Sequence, residues 1–232
     1  MRLPRRDLRA RRPPTAEQRD ALLDDLRRHR DEQAAAYRER ARSLGSPCLA
    51  GCHGCCHRLV LVELPDALLI ARHLRASGAA TKALRGALEG DAERAGRQTP
   101  NEYFGAAAGC VFLDQSSPGA ACSIYDVRPA DCRIWFIHGV RGDDLCGPGA
   151  PAREQPHLSI PGLEEADLRF CTRWAARFWS GVEARPVWVP LALGGLAALD
   201  LLEAGAPALD AWRPRLDGAT QRSYALVDEI DE

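Results

Sequence analysis

Residues 48–56 read CLAGCHGCC, which places the thiols of Cys48, Cys52, Cys55 and Cys56 within nine residues. Thiols this close in sequence can converge on one metal ion or cluster only if the chain folds into a tight loop. The two glycines between them permit the unusual backbone angles that such a loop needs, and loop amides can offset thiolate charge. The alternative, four buried structural cysteines, fits this density poorly. The segment therefore predicts a cysteine-ligated metal centre.

The composition of the chain favours metal chemistry over disulfide bonds. Its 232 residues are 46% hydrophobic, enough for one large domain with its own core. No apolar stretch follows the arginine-rich residues 1–12, and no run of about 18 apolar residues is present, so we expect neither a signal peptide nor a membrane span. A cytoplasmic location is then expected, where thiols stay reduced. Nine cysteines, an odd number, therefore indicate a metal or redox role.

The charge of the chain narrows the class of partner. A formal net charge of −1 gives no support for nucleic acid or an acidic membrane. Lys82 is the only lysine, and we interpret this arginine bias as that of a GC-rich bacterial genome. The expected partner is a metal ion or cluster, and a protein partner stays open without residues assigned to it.

Four segments are expected along the chain. Residues 1–13 are predicted to be a disordered basic arm, and residues 14–45 a long N-terminal helix. Residues 46–138 hold seven of the nine cysteines and form the predicted cysteine-cluster metal-binding core. Residues 139–232 are predicted to be a loop followed by C-terminal helices that pack on this core.

The N-terminal helix has recognisable start and stop signals. Thr15 and Gln18 have the spacing of a capping box, and Gly45 provides a stop. The apolar stripe is sparse, with leucines at positions 22, 23 and 26 followed by apolar residues within 34–37. We therefore expect this helix to lie on the surface or against a partner.

The remaining elements are short or amphipathic. A strand is predicted over residues 59–64, and helices are predicted over residues 65–78, 81–97, 163–184 and 191–204. Proline and threonine stand at the first two of these helix starts, where helices favour them. Glycines predict a mild break in the last helix.

A second group of cysteines begins with a predicted hairpin. Residues 110–113 and 122–125 are strand-like, and the turn-forming residues 114–119 lie between them. Cys110 and Cys122 are each expected to open one arm of this hairpin.

Cys132 is predicted to lie in the first turn of a short helix that begins after Pro129. A helix N-terminus stabilises a thiolate there. Arg128 and Arg133 flank this position and could offset the negative charge of a multi-thiolate site. The alternative is that both arginines are solvated or make local ion pairs, and the sequence leaves the two interpretations open.

The order of these motifs resembles that of the YkgJ-type cysteine-cluster (CxxxCxxCC) family. The motifs are Cys48–x3–Cys52–x2–Cys55–Cys56, Cys110–Val111–Phe112–Leu113, Cys122–Ser123–Ile124–Tyr125 and Arg128–Pro129–x2–Cys132–Arg133. The resemblance covers roughly residues 46–137 and implies a zinc- or iron-chelating domain. The ligands that it implies are Cys48, Cys52, Cys55, Cys56, Cys110, Cys122 and Cys132. The family is also similar to the cysteine-rich part of flagellin lysine N-methylases, but no methyl-donor site is recognisable, so that activity is not carried over.

The identity of the metal stays open between zinc and an iron–sulfur cluster, because both accept four thiolates. Seven candidates exceed one tetrahedral site, so they could leave spares, share ligands or hold a second centre. The surplus thiols and the compact loop favour a [4Fe–4S] cluster over zinc. Cys55 and Cys56 are adjacent in a segment expected to be extended, so we expect that they do not both bind the same ion.

Three histidines and two further cysteines also carry potential ligand atoms. His53 and His57 interleave with the cluster but are expected to face solvent, and His138 has the same status. Cys171 falls within a predicted helix and is expected to be a small core residue. Cys146 lies in a loop and stays an alternative ligand.

Catalytic interpretations have less support. The Cys–x3–Cys–x2–Cys spacing also resembles the radical S-adenosylmethionine signature, but Gly54 stands where that signature usually has an aromatic residue. No barrel-like alternation of strands and helices follows. A cysteine nucleophile would need an activating histidine, and nothing marks the pairs Cys56–His57 or Cys146–His138 as such. We therefore predict a metal-binding protein whose biological role stays open. The alternatives are an iron–sulfur-dependent enzyme, methyltransferase-associated or radical-type, and a metal-chelating or partner-binding module without catalysis.

Aromatic residues near the C-terminal half indicate packing. Phe170, Trp174 and Phe178 recur every four residues, as on the core face of a helix. The alternative is a partner-binding surface formed by Trp174, Trp179 and Trp188. We therefore predict a mostly helical α+β fold, in which short strands and loops surround a cysteine-rich metal site and N- and C-terminal helices cover it.

Overall fold

The computed structural model of the protein describes residues 14–46, 48, 53–98, 102–103, 109–114, 121–136, 158–178 and 187–228. Within these ranges the chain forms seven α-helices and two antiparallel sheets of two strands each. This confirms the mostly helical α+β class. The predicted basic arm, Cys52, Cys146, His138 and Trp179 lie outside the described residues.

Short strands are interspersed among the helices. The first half contains α1 (Ala16–Ser43), a 3₁₀ turn (Gly54–His57), β1 (Leu61–Glu63), α2 (Leu64–Ala76), α3 (Lys82–Arg97), β2 (Leu113–Asp114) and β3 (Ala121–Cys122). A second 3₁₀ turn (Tyr125–Val127) and α4 (Ala130–Ile134) follow. The C-terminal part contains α5 (Pro161–Phe178), β4 (Trp188–Pro190), α6 (Leu191–Ala204) and α7 (Ala206–Asp228).

The capping box predicted for the first helix is present. The backbone N–H of Gln18 donates to Thr15 Oγ1 at 3.2 Å, and the N–H of Thr15 donates to Gln18 Oε1 at 2.9 Å. Gly45 follows the helix at a φ of 68°, in the left-handed region that glycine adopts without strain. The sequence signals therefore place both ends of α1 correctly.

Helix α1 packs against the rest of the molecule along one face and leaves most of its other side chains exposed, as expected of a helix at the surface. The side chains of Leu23, Leu26 and Tyr37 are fully buried. Arg30 and Gln33 continue the same buried face, because α2 and α5 pack against it. A stripe that includes an arginine and a glutamine looks sparse in sequence although it is covered in the fold.

Strand β1 pairs with β4 from the far end of the chain. The two strands run antiparallel with Val62 opposite Val189, and the N–H of Leu191 donates to the carbonyl of Val60 at 2.9 Å. This pairing joins the segment after the cysteine-rich turn to the start of α6. No element is predicted from the sequence at β4, because three residues carry no readable alternation.

Helix α6 is the centre of the main core. Every residue from Leu191 to Leu199 is buried, and α2, α3 and α7 pack around the helix. The expected break at the glycines is wrong, because the helix is continuous there. At Gly194 a Cβ would lie 2.5 Å from Val62 Cγ1, so the glycine allows β1 to approach closely.

A smaller apolar cluster lies beside the main core. Tyr37 and Ala41 of α1 pack with Leu158, and the end of α4 and the start of α5 cover them. The N–H of Leu158 donates to the carbonyl of Phe136 at 2.8 Å. This cluster ties the segment after α4 to the C-terminal half of α1. Among the described helices, none combines the length and apolar character needed to cross a membrane.

Candidate metal centre

The cysteine-rich segment ends in a 3₁₀ turn at Gly54–His57. The N–H of Cys56 donates to the carbonyl of His53 at 2.9 Å. The expectation of an extended segment at Cys55 and Cys56 is therefore wrong, because glycine-rich backbone closes here into a tight turn. Cys48, upstream, is half-buried, and its N–H donates to Ser46 Oγ at 3.3 Å. The side chain of Cys55 is outside the described part of the chain.

A direct backbone hydrogen bond joins the two predicted cysteine groups. The N–H of Cys110 donates to the carbonyl of Cys56 at 2.7 Å. The carbonyl of Cys110 in turn accepts from the N–H of Leu113 at 2.8 Å, which forms a turn before β2. Two thiol-bearing residues that are distant in sequence are thus adjacent in the fold.

The predicted hairpin exists, but its strands are shorter and shifted. Leu113 pairs with Cys122, and the N–H of Ser123 donates to the carbonyl of Phe112 at 2.9 Å. Cys110 therefore precedes its strand and Cys122 ends the other, so the expectation that each cysteine opens an arm is wrong. The burial of Phe112 and Ile124 in the core fixes this register.

Cys132 lies in the short helix α4, as predicted. Its N–H donates to the carbonyl of Pro129 at 3.0 Å, within the first turn. The carboxylate of Asp66, in the first turn of α2, accepts the N–H of Ala130 at 3.3 Å. The N-terminal end of α4 is thereby attached to α2.

Arg133 fixes the loop before α4. Its Nε donates to the carbonyl of Arg128 at 2.6 Å, its Nη2 donates to the carbonyl of Asp126 at 2.5 Å, and its Nη1 forms an ion pair with Asp31 of α1. Arg128 stacks on the ring of Tyr125. Arg133 therefore makes an ion pair with a residue distant in sequence, and Arg128 contacts a neighbouring ring.

Residues that follow the 3₁₀ turn contact α4 directly. The guanidinium of Arg58 lies 3.2 Å from the centre of the Trp135 ring. Burial raises the pKa of Asp131 to about 6, although the charge of Arg58 and a hydrogen bond with the backbone of Leu61 oppose the shift. The helix that carries Cys132 therefore packs beside the strand that leaves the cysteine-rich turn.

His57 is buried, so the expectation that it faces solvent is wrong. Its side chain is only 7% exposed, because the 3₁₀ turn directs it inward, whereas His53 is exposed as expected. The two ring centroids are 6.4 Å apart in an edge arrangement. Among the residues that the structure describes, none forms a hydrogen bond with His57 Nδ1.

The structure brings some of the candidate ligands together and leaves others undescribed. Five of the seven predicted cysteines have described side chains, and all five are half-buried thiols: Cys48, Cys56, Cys110, Cys122 and Cys132. Within the described ranges no three Cys, His, Asp or Glu side chains form a group that could hold a metal ion. The donor chemistry of the segment, thiols with a buried imidazole nitrogen, suits zinc or iron.

A buried charge network lies behind this segment. The guanidinium of Arg30 is fully buried and binds Asp66 through two hydrogen bonds of 2.8 and 3.0 Å. It also contacts Glu63 at 3.1 Å and forms an ion pair with Asp167 of α5. His29 Nε2 donates to the same Asp167 oxygen at 2.8 Å. The network joins α1, α2 and α5 and, through Asp66, reaches α4.

The pKa values of two carboxylates in the network, Glu63 and Asp167, are shifted in opposite directions. Burial raises the pKa of Glu63 above its ordinary value, and the charge of Arg30 only partly opposes this. Burial would also raise the pKa of Asp167, but the hydrogen bond with His29 and the charge of Arg30 hold it well below its ordinary value. Sequence reasoning missed these residues. The available signal was the position of Arg30, one helical turn beyond the buried Leu26.

Cys171 is buried, which confirms it as a core residue. Its Sγ lies 3.3 Å from Arg30 Nη2, and burial raises the pKa of the thiol far above its ordinary value. The packing interpretation of the aromatic residues is also confirmed, because Trp174 and Phe178 are buried and stacked. Trp188 donates to Glu63 at 3.0 Å.

The segment that carries this order of cysteines is similar to one family of known sequences. Residues 47–144 match the CxxCxxCC family, described as a "putative zinc- or iron-chelating domain". This match confirms the resemblance predicted from the cysteine spacing. No curated protein matches the chain, and no solved structure matches it. Helices α1, α5, α6 and α7 lie outside the matched residues.

Proposed function

We propose that residues 46–138 bind a metal centre through cysteine thiolates that come from three separate parts of the fold. These parts are the loop and turn over residues 48–56, the hairpin with Cys110 and Cys122, and helix α4 with Cys132. The main support is the backbone hydrogen bond of 2.7 Å between Cys110 and Cys56, which brings the two cysteine groups into contact. The chelating description of the matched family supports the same conclusion.

The position of α4 supports a contribution from the third part. The stacking of Arg58 on Trp135 and the interaction between Asp131 and the backbone of Leu61 hold α4 against the chain that leaves the 3₁₀ turn. Cys132 is therefore on an element that packs beside the chain leaving the cysteine-rich turn. Ligands that converge from distant segments only in the folded chain couple metal binding to folding.

We propose an iron–sulfur cluster, with [4Fe–4S] as the favoured type, as the occupant. Seven cysteines exceed the four thiolates that one zinc ion or one cluster takes, and the dense loop of four thiols within residues 48–56 favours the cluster. Zinc is the second candidate, because the family description names it beside iron. We propose no reaction, since an enzyme would need an open coordination position or an activated nucleophile.

The test is anaerobic purification of the full chain followed by elemental analysis and an absorption spectrum. We expect stoichiometric iron and sulfide with a brown colour. Cys56→Ser and Cys110→Ser should lose most of the metal, whereas the matched control Cys171→Ser should keep it, because Cys171 belongs to the charge network instead. Colourless protein with stoichiometric zinc would show that the occupant is zinc and not an iron–sulfur cluster. Full metal content in both cysteine variants would refute the centre itself.

A further inference from the structure

His57 is a buried polar residue at the cysteine-rich turn. Its side chain is 93% covered, and its Nδ1 lacks a hydrogen-bond partner among the residues that the structure describes. A buried polar atom left without a partner costs about 1–3 kcal/mol. Native proteins rarely keep such an atom without water, an ion or a functional reason.

His57 lies between residues that link the parts of the proposed centre. It directly follows Cys56, and the carbonyl of Cys56 accepts the N–H of Cys110. The next residue, Arg58, contacts α4, the helix of Cys132. His57 therefore lies in the chain between a residue that contacts Cys110 and a residue that contacts the helix of Cys132.

The chemistry of imidazole suits this position. A neutral imidazole nitrogen is a common ligand of zinc and iron. In some iron–sulfur centres histidines take the place of cysteines and raise the reduction potential. Each imidazole that replaces a thiolate also removes one negative charge from the centre. This matters here because the donors of Arg133 are already bound to Asp31 and to backbone carbonyls.

We infer that His57 provides Nδ1 as a ligand to the metal centre, which makes that centre a mixed thiolate–imidazole site. The inference rests on the proposed function. His53 does not share this role, because its ring is exposed to solvent although it lies 6.4 Å from that of His57. The two histidines therefore form a matched pair in the same turn.

The test is X-ray absorption spectroscopy at the edge of whichever metal the full chain binds after anaerobic purification. An imidazole ligand gives a nitrogen scatterer at about 2.0–2.1 Å, with a multiple-scattering pattern distinct from that of sulfur. Wild type and His53→Ala should both show this pattern. His57→Ala should lose it, and His57→Cys should replace it with an additional sulfur. Circular dichroism of each variant establishes that it is folded.

The outcomes separate this inference from the proposal beneath it. An all-sulfur shell in a metal-containing wild-type protein would overturn the role of His57 and leave the cysteine centre standing, with a buried water as the partner of Nδ1. An imidazole signal that persists in folded His57→Ala would assign the nitrogen ligand to another histidine and overturn the inference. Wild-type protein without stoichiometric metal would overturn both.

Discussion

Arg30 holds one positive charge among three carboxylates inside the protein. Its side chain is fully buried and Asp66 nearly so, and an ion pair at such a site must offset the cost of removing both charges from water. The bidentate geometry with Asp66 and the contacts to Glu63 and Asp167 supply that compensation. Removing one partner would leave the others buried without it, so we regard these residues as one unit.

The opposite pKa shifts of Glu63 and Asp167 predict opposite pH dependence. The folded-state pKa of Asp167 lies below its value in the unfolded chain, so its stabilising effect is present above about pH 4 and is lost as the pH falls. The stability advantage of wild type over Asp167→Asn should therefore shrink as the pH decreases. Urea unfolding between neutral pH and about pH 3 measures this difference. An advantage that does not change with pH would contradict the prediction.

Glu63 gives the reverse expectation. Its folded-state pKa lies above the unfolded value, so its favourable contribution is present below about pH 4 and is lost as the pH rises through the folded pKa. The stability of wild type relative to Glu63→Gln should decrease as the pH rises, in the same urea experiments. Equal slopes for the two variants would mean that the network titrates as one group.

For single residues, the sequence indicates which side chains are candidates for a role, but it does not indicate what surrounds each of them. The cysteine ligand candidates could be read from their spacing, and Cys171 was recognised as a core residue. The burial of His57 could not be predicted, because it depends on the direction in which a four-residue turn closes. The role of Arg30 could not be predicted either, since its partners come from three elements that are distant in sequence.

Helix α6 illustrates how close packing depends on single residues within an element. Gly194 faces β1 at a distance that leaves no room for a methyl group, whereas a Cβ at Gly195 would make an ordinary contact of 3.6 Å with Leu88. Both glycines lie in the helix interior, where alanine is favoured by about 1 kcal/mol. Alanine would therefore favour the helical backbone equally at Gly194 and Gly195, but only Gly195 has room for its methyl group.

We predict that Gly195→Ala raises the free energy of unfolding by about 0.5–1 kcal/mol. Gly194→Ala should be less stable than Gly195→Ala, because forcing Val62 away costs about 1–3 kcal/mol, which offsets or exceeds the helix gain. Urea unfolding of the two variants and wild type measures the difference. Equal stabilisation by both substitutions would show that β1 can move away without cost.

The elements with local signals were predictable, and those without them were not. The starts of α1 and α3 follow from side-chain caps, and both caps are present. Strand β4 has three residues, and its partner β1 is more than a hundred residues away in the chain. The shift of the hairpin also lacks a local signal. Its strands have two residues each, and the burial of Phe112 and Ile124 sets their register.

At the scale of the whole molecule, most of the core is independent of the cysteines. The main cluster is built mostly from leucine and alanine side chains of α1, α2, α6 and α7, and Cys110 and Cys122 only border it. A hydrophobic core of this kind stabilises a fold without a metal. This differs from small zinc domains, which unfold when the metal is removed.

We predict that removal of the metal with a chelator lowers the melting temperature but leaves most of the helical circular dichroism signal. Metal that binds only the folded state stabilises it by mass action, and its loss should mainly release residues 46–58 and the hairpin. Hydrogen exchange should therefore increase in those segments and stay slow in α6. Loss of the helical signal on chelation would show that the core depends on the centre.

The pairing of β1 with β4 also bears on the order in which the protein is made. Synthesis proceeds from the N-terminus, and domains form as the necessary segments emerge. All seven candidate ligands precede residue 133, whereas β4 begins at Trp188. We therefore expect the ribosome to release the complete set of cysteines before the strand that closes beside them. We expect the proposed centre to take up its metal during that interval, while its surroundings are still open to a metal donor.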